Sequence, residues 1–213
     1  MKKVVVYGAG GHAKVLLDIL ERIGQYEIAG LIDNDPALMG QQVFGYRVLG
    51  GSVVLAKVKA MTIEAGIVAV GDNKIRGTLA GTMLEHGLEL ISAMHPSACV
   101  SRGVHIGVGS ALMANAVVNA DSFVGANVIV NTGATVDHDS IIGDCVHLSP
   151  GVHLAGGVRI GAYSHLGTGV MVIPNIRIGE DVDISAGSVV TKDLPDGVIA
   201  AGVPARAISR KTK

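Results

Sequence analysis

From Val100 to Val190 an aliphatic residue stands at every sixth position: Val100, Ile106, Leu112, Val118, Val124, Val130, Val136, Ile142, Leu148, Leu154, Ile160, Leu166, Val172, Ile178, Ile184 and Val190. A helix needs a period near 3.6 and a half-buried strand a period of 2. A strict six fits a solenoid whose unit is a short strand plus a corner. Three residues after each aliphatic, fourteen of the sixteen units carry Gly, Asn or Asp; Cys145 and Tyr163 are the exceptions. Those residue types tolerate positive φ. Pro150-Gly151 and Pro174-Asn175 add the signature of a type II turn. Three six-residue sides close a triangle, so one coil takes 18 residues. Residues that far apart then stack at the parallel-strand spacing of roughly 4.8 Å.

The chain before the repeat has a different rhythm. Val4 to Tyr7 reads as a buried strand and runs into Gly8-Ala9-Gly10-Gly11-His12-Ala13-Lys14. Val15, Leu16, Ile19, Leu20 and Ile23 then recur at helical spacing, and Gly24 ends the helix. A second strand spans about 27–32 and stops at Asp33-Asn34-Asp35-Pro36. A third is expected at 67–70, a helix at 74–86 and a fourth strand at 88–92. Strand, Gly-rich turn, helix, strand, acid is the opening of a nucleotide-binding α/β domain. Glycines let backbone N–H groups approach a phosphate at the helix N-terminus, where the dipole favours an anion. The domain is too short for two βαβαβ halves, which favours one nucleoside diphosphate over a dinucleotide. His12 can hydrogen-bond a phosphate or sugar oxygen. Asp33 stands where such folds place a ribose-binding acid, and equally where a turn precedes Pro36.

Composition narrows the partners. With 213 residues and a net charge of −1, the chain offers no basic footprint for nucleic acid or an anionic membrane. Trp is absent and aromatics make up 3%, so a stacking platform is not expected. Two cysteines, Cys99 and Cys145, form no disulfide framework and fit a reducing compartment. No segment is long enough to span a bilayer, and the apolar run after Met1-Lys2-Lys3 is too short for a signal peptide. The expected location is the cytoplasm.

Positions that break the repeat's rule carry the chemistry. His138 occupies the third residue of its unit, the corner. Elsewhere that position is mostly small or turn-friendly, as in Val108, Ala114, Ala120, Ala126, Thr132, Pro150, Gly156, Ala162, Thr168, Pro174 and Ala186. An imidazole pointing outward there can take a proton from an attacking amine or hydroxyl. Asp139 follows it in the Gly/Asn/Asp column, either as a partner of His138 or as a turn residue. His147 and His165 share a phase and stack one coil apart.

The unit of Leu, Ile or Val followed by Gly, as in Ile106-Gly107, Val124-Gly125, Ile142-Gly143, Ile160-Gly161, Leu166-Gly167 and Ile178-Gly179, resembles the hexapeptide repeat of acyltransferases. Four motifs extend the likeness over nearly the whole chain. They are Gly8-x-Gly10-Gly11-His12-x-Lys14, Asp33-Asn34-Asp35-Pro36, Asn131-Thr132-x-x-x-Val136-Asp137-His138-Asp139 and Gly202-Val203-Pro204-Ala205. Together they resemble the bacterial sugar O- and N-acetyltransferases typified by PglD and NeuD. The resemblance implies a Rossmann-like, nucleotide-sugar-binding α/β domain over 1–95. A left-handed parallel β-helix with a C-terminal tail follows over 96–213. It implies acetyl-CoA as co-substrate, no metal, a homotrimer, and a UDP-linked 4-amino-4,6-dideoxy sugar as acceptor in surface glycan biosynthesis. Acetylation of a hydroxyl, as on sialic acid, is the alternative within the family. A trimeric zinc carbonic anhydrase built on the same repeat is the alternative outside it. The resemblance makes His138 the catalytic base with Asp139 beside it, where the bacillosamine-pathway member has Glu. It assigns the acceptor nucleotide to Gly10, Gly11, His12, Lys14, Asp33 and Asn34. It assigns acetyl-CoA to His147, Gly156, Thr168, the Ala186-Gly187 corner, Lys192 and Arg206.

Overall fold

The computed structural model describes residues 1–211. They form two compact units, divided between Pro96 and Ser97. The first unit is α/β: β1 (Lys2–Tyr7), α1 (Gly11–Ile23), β2 (Tyr26–Ile32), β3 (Gln42–Val43), β4 (Tyr46–Gly50), β5 (Ala65–Val68), α2 (Asn73–Glu85) and β6 (Glu89–Leu90). The sheet order is β3-β4-β2-β1-β5-β6. β1 lies central and parallel to both β2 and β5, with Val4 facing Ile28 on one side and Ala65 on the other. Being covered on both faces, β1 is a continuous apolar run, and Val4, Val5 and Val6 are fully buried. α1 packs Ala13, Leu16, Leu17, Ile19 and Leu20 inward and ends at Gly24 with φ 65°. Asp72 caps α2 by accepting the Ile75 N–H at 2.8 Å.

The expected elements are present with shifted ends. The third expected strand starts earlier, because Ala65 and Gly66 pair with Val4 and Val5 despite their poor strand propensity. The hairpin of β3 and β4 was not foreseen. Its turn is Phe44-Gly45, with φ of 49° and 82°. Phe is not a residue that announces such a turn.

The second unit is the six-residue solenoid. Its first side carries the aliphatics from Val100 to Val190 in steps of 18, its second side Ile106 to Ile178, and its third side Leu112 to Ile184; each strand pairs in parallel with the one 18 residues on. Every aliphatic of the series from Leu112 to Val190 is buried. Val100 and Ile106, in the first coil, have no coil before them to cover them. From Gly103 to Gly187 each fourth-position residue has a φ between 52° and 78°, Cys145 and Tyr163 included. Asp193 leaves this pattern as the chain turns into an antiparallel hairpin of Val198–Gly202 and Ala205–Arg210. Five buried serines replace apolar residues at the inward fifth position, and bridging between coils makes this possible. Ser122 Oγ, for example, donates to Asp137 O at 3.0 Å and accepts from Ser140 N at 3.2 Å. The corner that holds His138 is thereby tied to the coil before it.

Candidate active site

His138 lies on the corner between the first and second sides, and its side chain is 61% exposed. Its Nδ1 is 2.7 Å from Asp139 Oδ2. A carboxylate only accepts, so Nδ1 carries the proton and Nε2 keeps its lone pair. Asp137 supports the corner from the other side. Its Oδ1 accepts the His138 backbone N–H at 2.8 Å and the Asn119 amide at 2.9 Å. These two bonds, the amide first, hold the Asp137 carboxyl below its ordinary range. The hydrogen bond to Asp139, then the charge of Asp137, raise the His138 pKa above the ordinary imidazole value of 6.5. The φ of 59° at Asp139 places its carboxylate beside the ring, so the turn role and the partner role coincide.

Gly156 stands one coil beyond His138 in the same corner. A Cβ there would lie 2.6 Å from His138 Cε1 and 2.7 Å from Nε2. The imidazole therefore occupies space that any other residue at 156 would fill. His138 O also accepts the Gly157 N–H at 2.9 Å.

A base must be neutral to act. The neutral fraction of His138 falls as pH drops through its raised pKa, so the acid limb of kcat/KM is expected above pH 6.5. Asp139→Asn removes the largest cause of the rise and should move that limb to lower pH. The shift is partial, since Asp137 remains. A limb set by the acceptor amine is common to both proteins. Rate profiles of the two proteins check this, and an unmoved limb would show that Asp139 is only a turn residue.

The other residues expected to hold acetyl-CoA are spread over several edges. His147 is on the third side, opposite the His138 corner in the triangular section. Its Nε2 is 3.1 Å from Asn131 Nδ2, and its ring centroid is 5.2 Å from that of His165. His165 in turn meets Ser149 Oγ at 2.9 Å and Asp183 at 3.8 Å. Thr168, Ala186 and Gly187 share the corner between the third and first sides, where Gly187 N–H donates to Thr168 O at 2.8 Å. Lys192 returns to the His138 corner, and Arg206 lies exposed in the terminal hairpin. One chain thus brings together His138, Asp139 and Gly156, and keeps His147 away from them. Among the described residues no group of three or more His, Cys, Asp or Glu converges as a metal site.

In the first unit, Gly8 is demanded by the fold. It has φ 118°, and a Cβ would lie 2.6 Å from Ala69 O. Gly10 and Gly11 are not so demanded, because a Cβ on either would meet nothing within 4 Å. Gly10 precedes α1 with no side-chain cap, which leaves backbone donors at that helix start. Asp33 latches the loop: Oδ2 accepts Ala9 N–H at 2.8 Å and Oδ1 accepts Asp35 N–H at 2.9 Å. Asn34 donates to Tyr7 OH at 3.2 Å and accepts from Ser52 N–H at 2.8 Å. Lys14 is exposed on the first turns of α1.

His12 Nε2 is buried and, among the described residues, has no hydrogen-bond partner. Burial, then the nearby Arg76 charge, lower the His12 pKa to about 4. His12 is therefore a neutral imidazole near neutral pH, not a second cation for a phosphate. Arg76 is 1% exposed and donates to Val70 O, Gly71 O and Asn73 Oδ1. Sequence reasoning missed Arg76 because an arginine in the first turn of a helix carries no local mark of burial. Asp137 and Asn119 could have been found, since they lie 18 residues apart in one column.

Comparisons with known proteins agree with this architecture. Residues 3–83 match the family described as PglD N-terminal domain, and residues 157–192 match bacterial transferase hexapeptide (six repeats). The structure of PerB from Caulobacter crescentus in complex with CoA and GDP-perosamine is 44% identical, covers 97% of each chain and superposes with a TM-score of 0.92. The acetyltransferase domain of PglB from Neisseria gonorrhoeae, in complex with acetyl coenzyme A, is 40% identical over 97% of this chain and 99% of that one, with a TM-score of 0.89. A UDP-N-acetylbacillosamine N-acetyltransferase of Bacillus subtilis is 38% identical over 115 residues, 54% of this chain and 52% of the relative. That match thus spans about half the length of the curated relative. The fold is accordingly an α/β Rossmann-like unit followed by a left-handed parallel β-helix. The chain belongs to the PglD-type, hexapeptide-repeat family of nucleotide-amino-sugar N-acetyltransferases.

Proposed function

We propose that the protein moves the acetyl group of acetyl-CoA onto the amino group of a nucleotide-linked 4-amino-4,6-dideoxy sugar, a step toward surface glycans in the cytoplasm. The observation that carries this reading is the His138–Asp139 pair, with its unprotonated Nε2 seated over Gly156 on an exposed corner. The acceptor nitrogen attacks the thioester carbonyl, and the C–N bond forms as its proton passes to His138 Nε2. The C–S bond then breaks, and the proton moves from His138 to the departing sulfur. Asp139 and Asp137 stabilise the transient imidazolium, the role that their effect on its pKa describes.

The acceptor nucleotide is placed on Gly10, Gly11, His12, Lys14, Asp33 and Asn34. The open space over Gly10 and Gly11 supports this, since packing within the chain does not call for glycine there. Relatives with UDP- and GDP-linked acceptors mean that the base is decided by assay. The donor is placed on Gly156, His147, Thr168, Ala186, Gly187, Lys192 and Arg206. These lie on separate edges of one solenoid, so they form one groove only when edges of two copies meet. A homotrimer supplies that meeting.

The test separates the two substrates. Gly11→Val places a side chain in the space read as the phosphate's. The acceptor KM is expected to rise roughly tenfold or more, with the Kd for coenzyme A unchanged. Loss of coenzyme A binding with acceptor binding intact would mean that the Gly-rich loop holds the donor instead.

A further inference from the structure

The residues proposed for the acceptor follow β1 and β2, yet the strand order of the first unit opens its crevice on the other side of β1. After β1 the chain passes through α1 to β2 on one flank, and β5 later takes the other. In an open parallel sheet a ligand binds beyond the carboxyl ends of the strands, where the strand order reverses. That point lies between the loop after β1, residues 8–10, and the loop after β5, residues 69–72. The two loops are joined at their base, where Ala69 N–H donates to Tyr7 O at 2.6 Å. Gly71 is exposed in the second loop, and a Cβ on it would meet nothing within 4 Å, as at Gly10 and Gly11. It has no positive φ either, so neither packing nor a turn calls for glycine there.

Arg76 is the buried group behind this loop. Its Nη1 donates to Val70 O at 3.1 Å and to Gly71 O at 2.9 Å, and its Nη2 to Asn73 Oδ1 at 2.7 Å. A trans peptide points its C=O and its N–H in opposite directions. With both carbonyls drawn to the guanidinium, the N–H groups of Gly71 and Asp72 point away from it. Among the described residues neither N–H has an acceptor. The Asp72 carboxylate, the one acid of the loop, is turned to the Ile75 N–H. The Arg76 charge also reaches α1, where it is the second cause, after burial, of the neutral state of His12. Bonds to Val70, Gly71 and Asn73 need a donor; an anion in the crevice needs a charge as well.

We propose that Arg76 is a positioning residue for the acceptor's diphosphate, acting through the loop after β5. It turns the Gly71 and Asp72 N–H groups into the crevice opposite Gly10 and Gly11, and it sets a fixed cation behind them. The inference rests on the reading that the first unit holds the acceptor nucleotide. Oriented backbone N–H groups form an anion-binding concavity, and a buried cation behind them is screened less than one at the surface.

The test titrates UDP, GDP, dTDP, their nucleosides and coenzyme A calorimetrically into the full-length parent, Arg76→Gln, Arg76→Lys and Gly71→Val. For the diphosphate that the parent binds, Arg76→Gln is expected to weaken binding by about 10- to 100-fold, with its nucleoside and coenzyme A within a few-fold. In turnover the acceptor KM should rise by a like factor while kcat at saturation is kept. Arg76→Lys retains the charge and can still meet a carbonyl, so it should recover part of the loss. Nucleoside and diphosphate weakened alike would show that Arg76 only holds the fold, and undiminished diphosphate binding would show that it serves nothing in the crevice; either result overturns the proposal. If Arg76→Gln does not fold, Arg76→Lys and Gly71→Val decide, because the valine enters empty space and leaves Arg76 in place. Both should weaken the diphosphate selectively, and full affinity in both overturns the proposal. Failure of the reading beneath it has a different mark: the parent would bind no nucleoside diphosphate, or Gly11→Val would bind it as well as the parent does.

Discussion

His138→Ala is expected to lower kcat by roughly 10²–10⁴, while the Kd for coenzyme A stays within a few-fold. Among the described residues the ring makes one hydrogen bond, to Asp139, and its Nε2 lies over Gly156. Nothing in the core depends on it, so the variant should fold and bind its donor. The attacking nitrogen must then lose its proton to water or to the leaving sulfur. Single-turnover rates with saturating substrates measure this directly. A rate within a few-fold of the parent would mean that the sulfur or the solvent is the ordinary proton acceptor and that His138 only positions the amine.

Gly156→Ala should imitate that loss with His138 still present. Gly156 has no positive φ, so its backbone accepts alanine, and the clash is with a side chain that can swing away. The coil should survive and the imidazole should leave its seat over the corner. A fall in kcat of about 10- to 100-fold is expected, without a matching rise in the acceptor KM. The double variant Gly156→Ala/His138→Ala should be no worse than His138→Ala alone, because both changes remove the same positioned base. Additive losses would show that Gly156 contributes through its own backbone, for instance by receiving the thioester oxygen.

Most of the second unit was legible in the sequence because a solenoid repeats its local rules. One aliphatic in six fixes what is buried, and one Gly, Asn or Asp in six fixes where the chain turns. His138 stood out for the same reason, as a corner residue that no turn requires. The contacts between coils were not legible to the same degree. That Gly156 seats the ring of His138, and that Arg159 stacks on Arg177, follow from the 18-residue spacing, but only once the sides are known. The first unit was harder to read. Phe44 hides its hairpin turn, and Ala65 and Gly66 are weak strand formers held in place by Val4 and Val5. The burial of Arg76 and the neutral state of His12 are tertiary effects without a local signature.

The central claim is that this corner acetylates an amine carried on a nucleotide-linked sugar. Release of free thiol from acetyl-CoA, followed with UDP-, GDP-, dTDP- and CMP-linked 4-amino sugars, with matching sugars bearing only hydroxyls and with free sialic acid, tests it most directly. Rapid thiol release is expected with at least one nucleotide-linked amino sugar, with a product heavier by one acetyl group on nitrogen, and little release with the hydroxyl-only sugars. Thiol release that needs no amine, or none with any nucleotide-linked amino sugar while sialic acid is acetylated on oxygen, would contradict it.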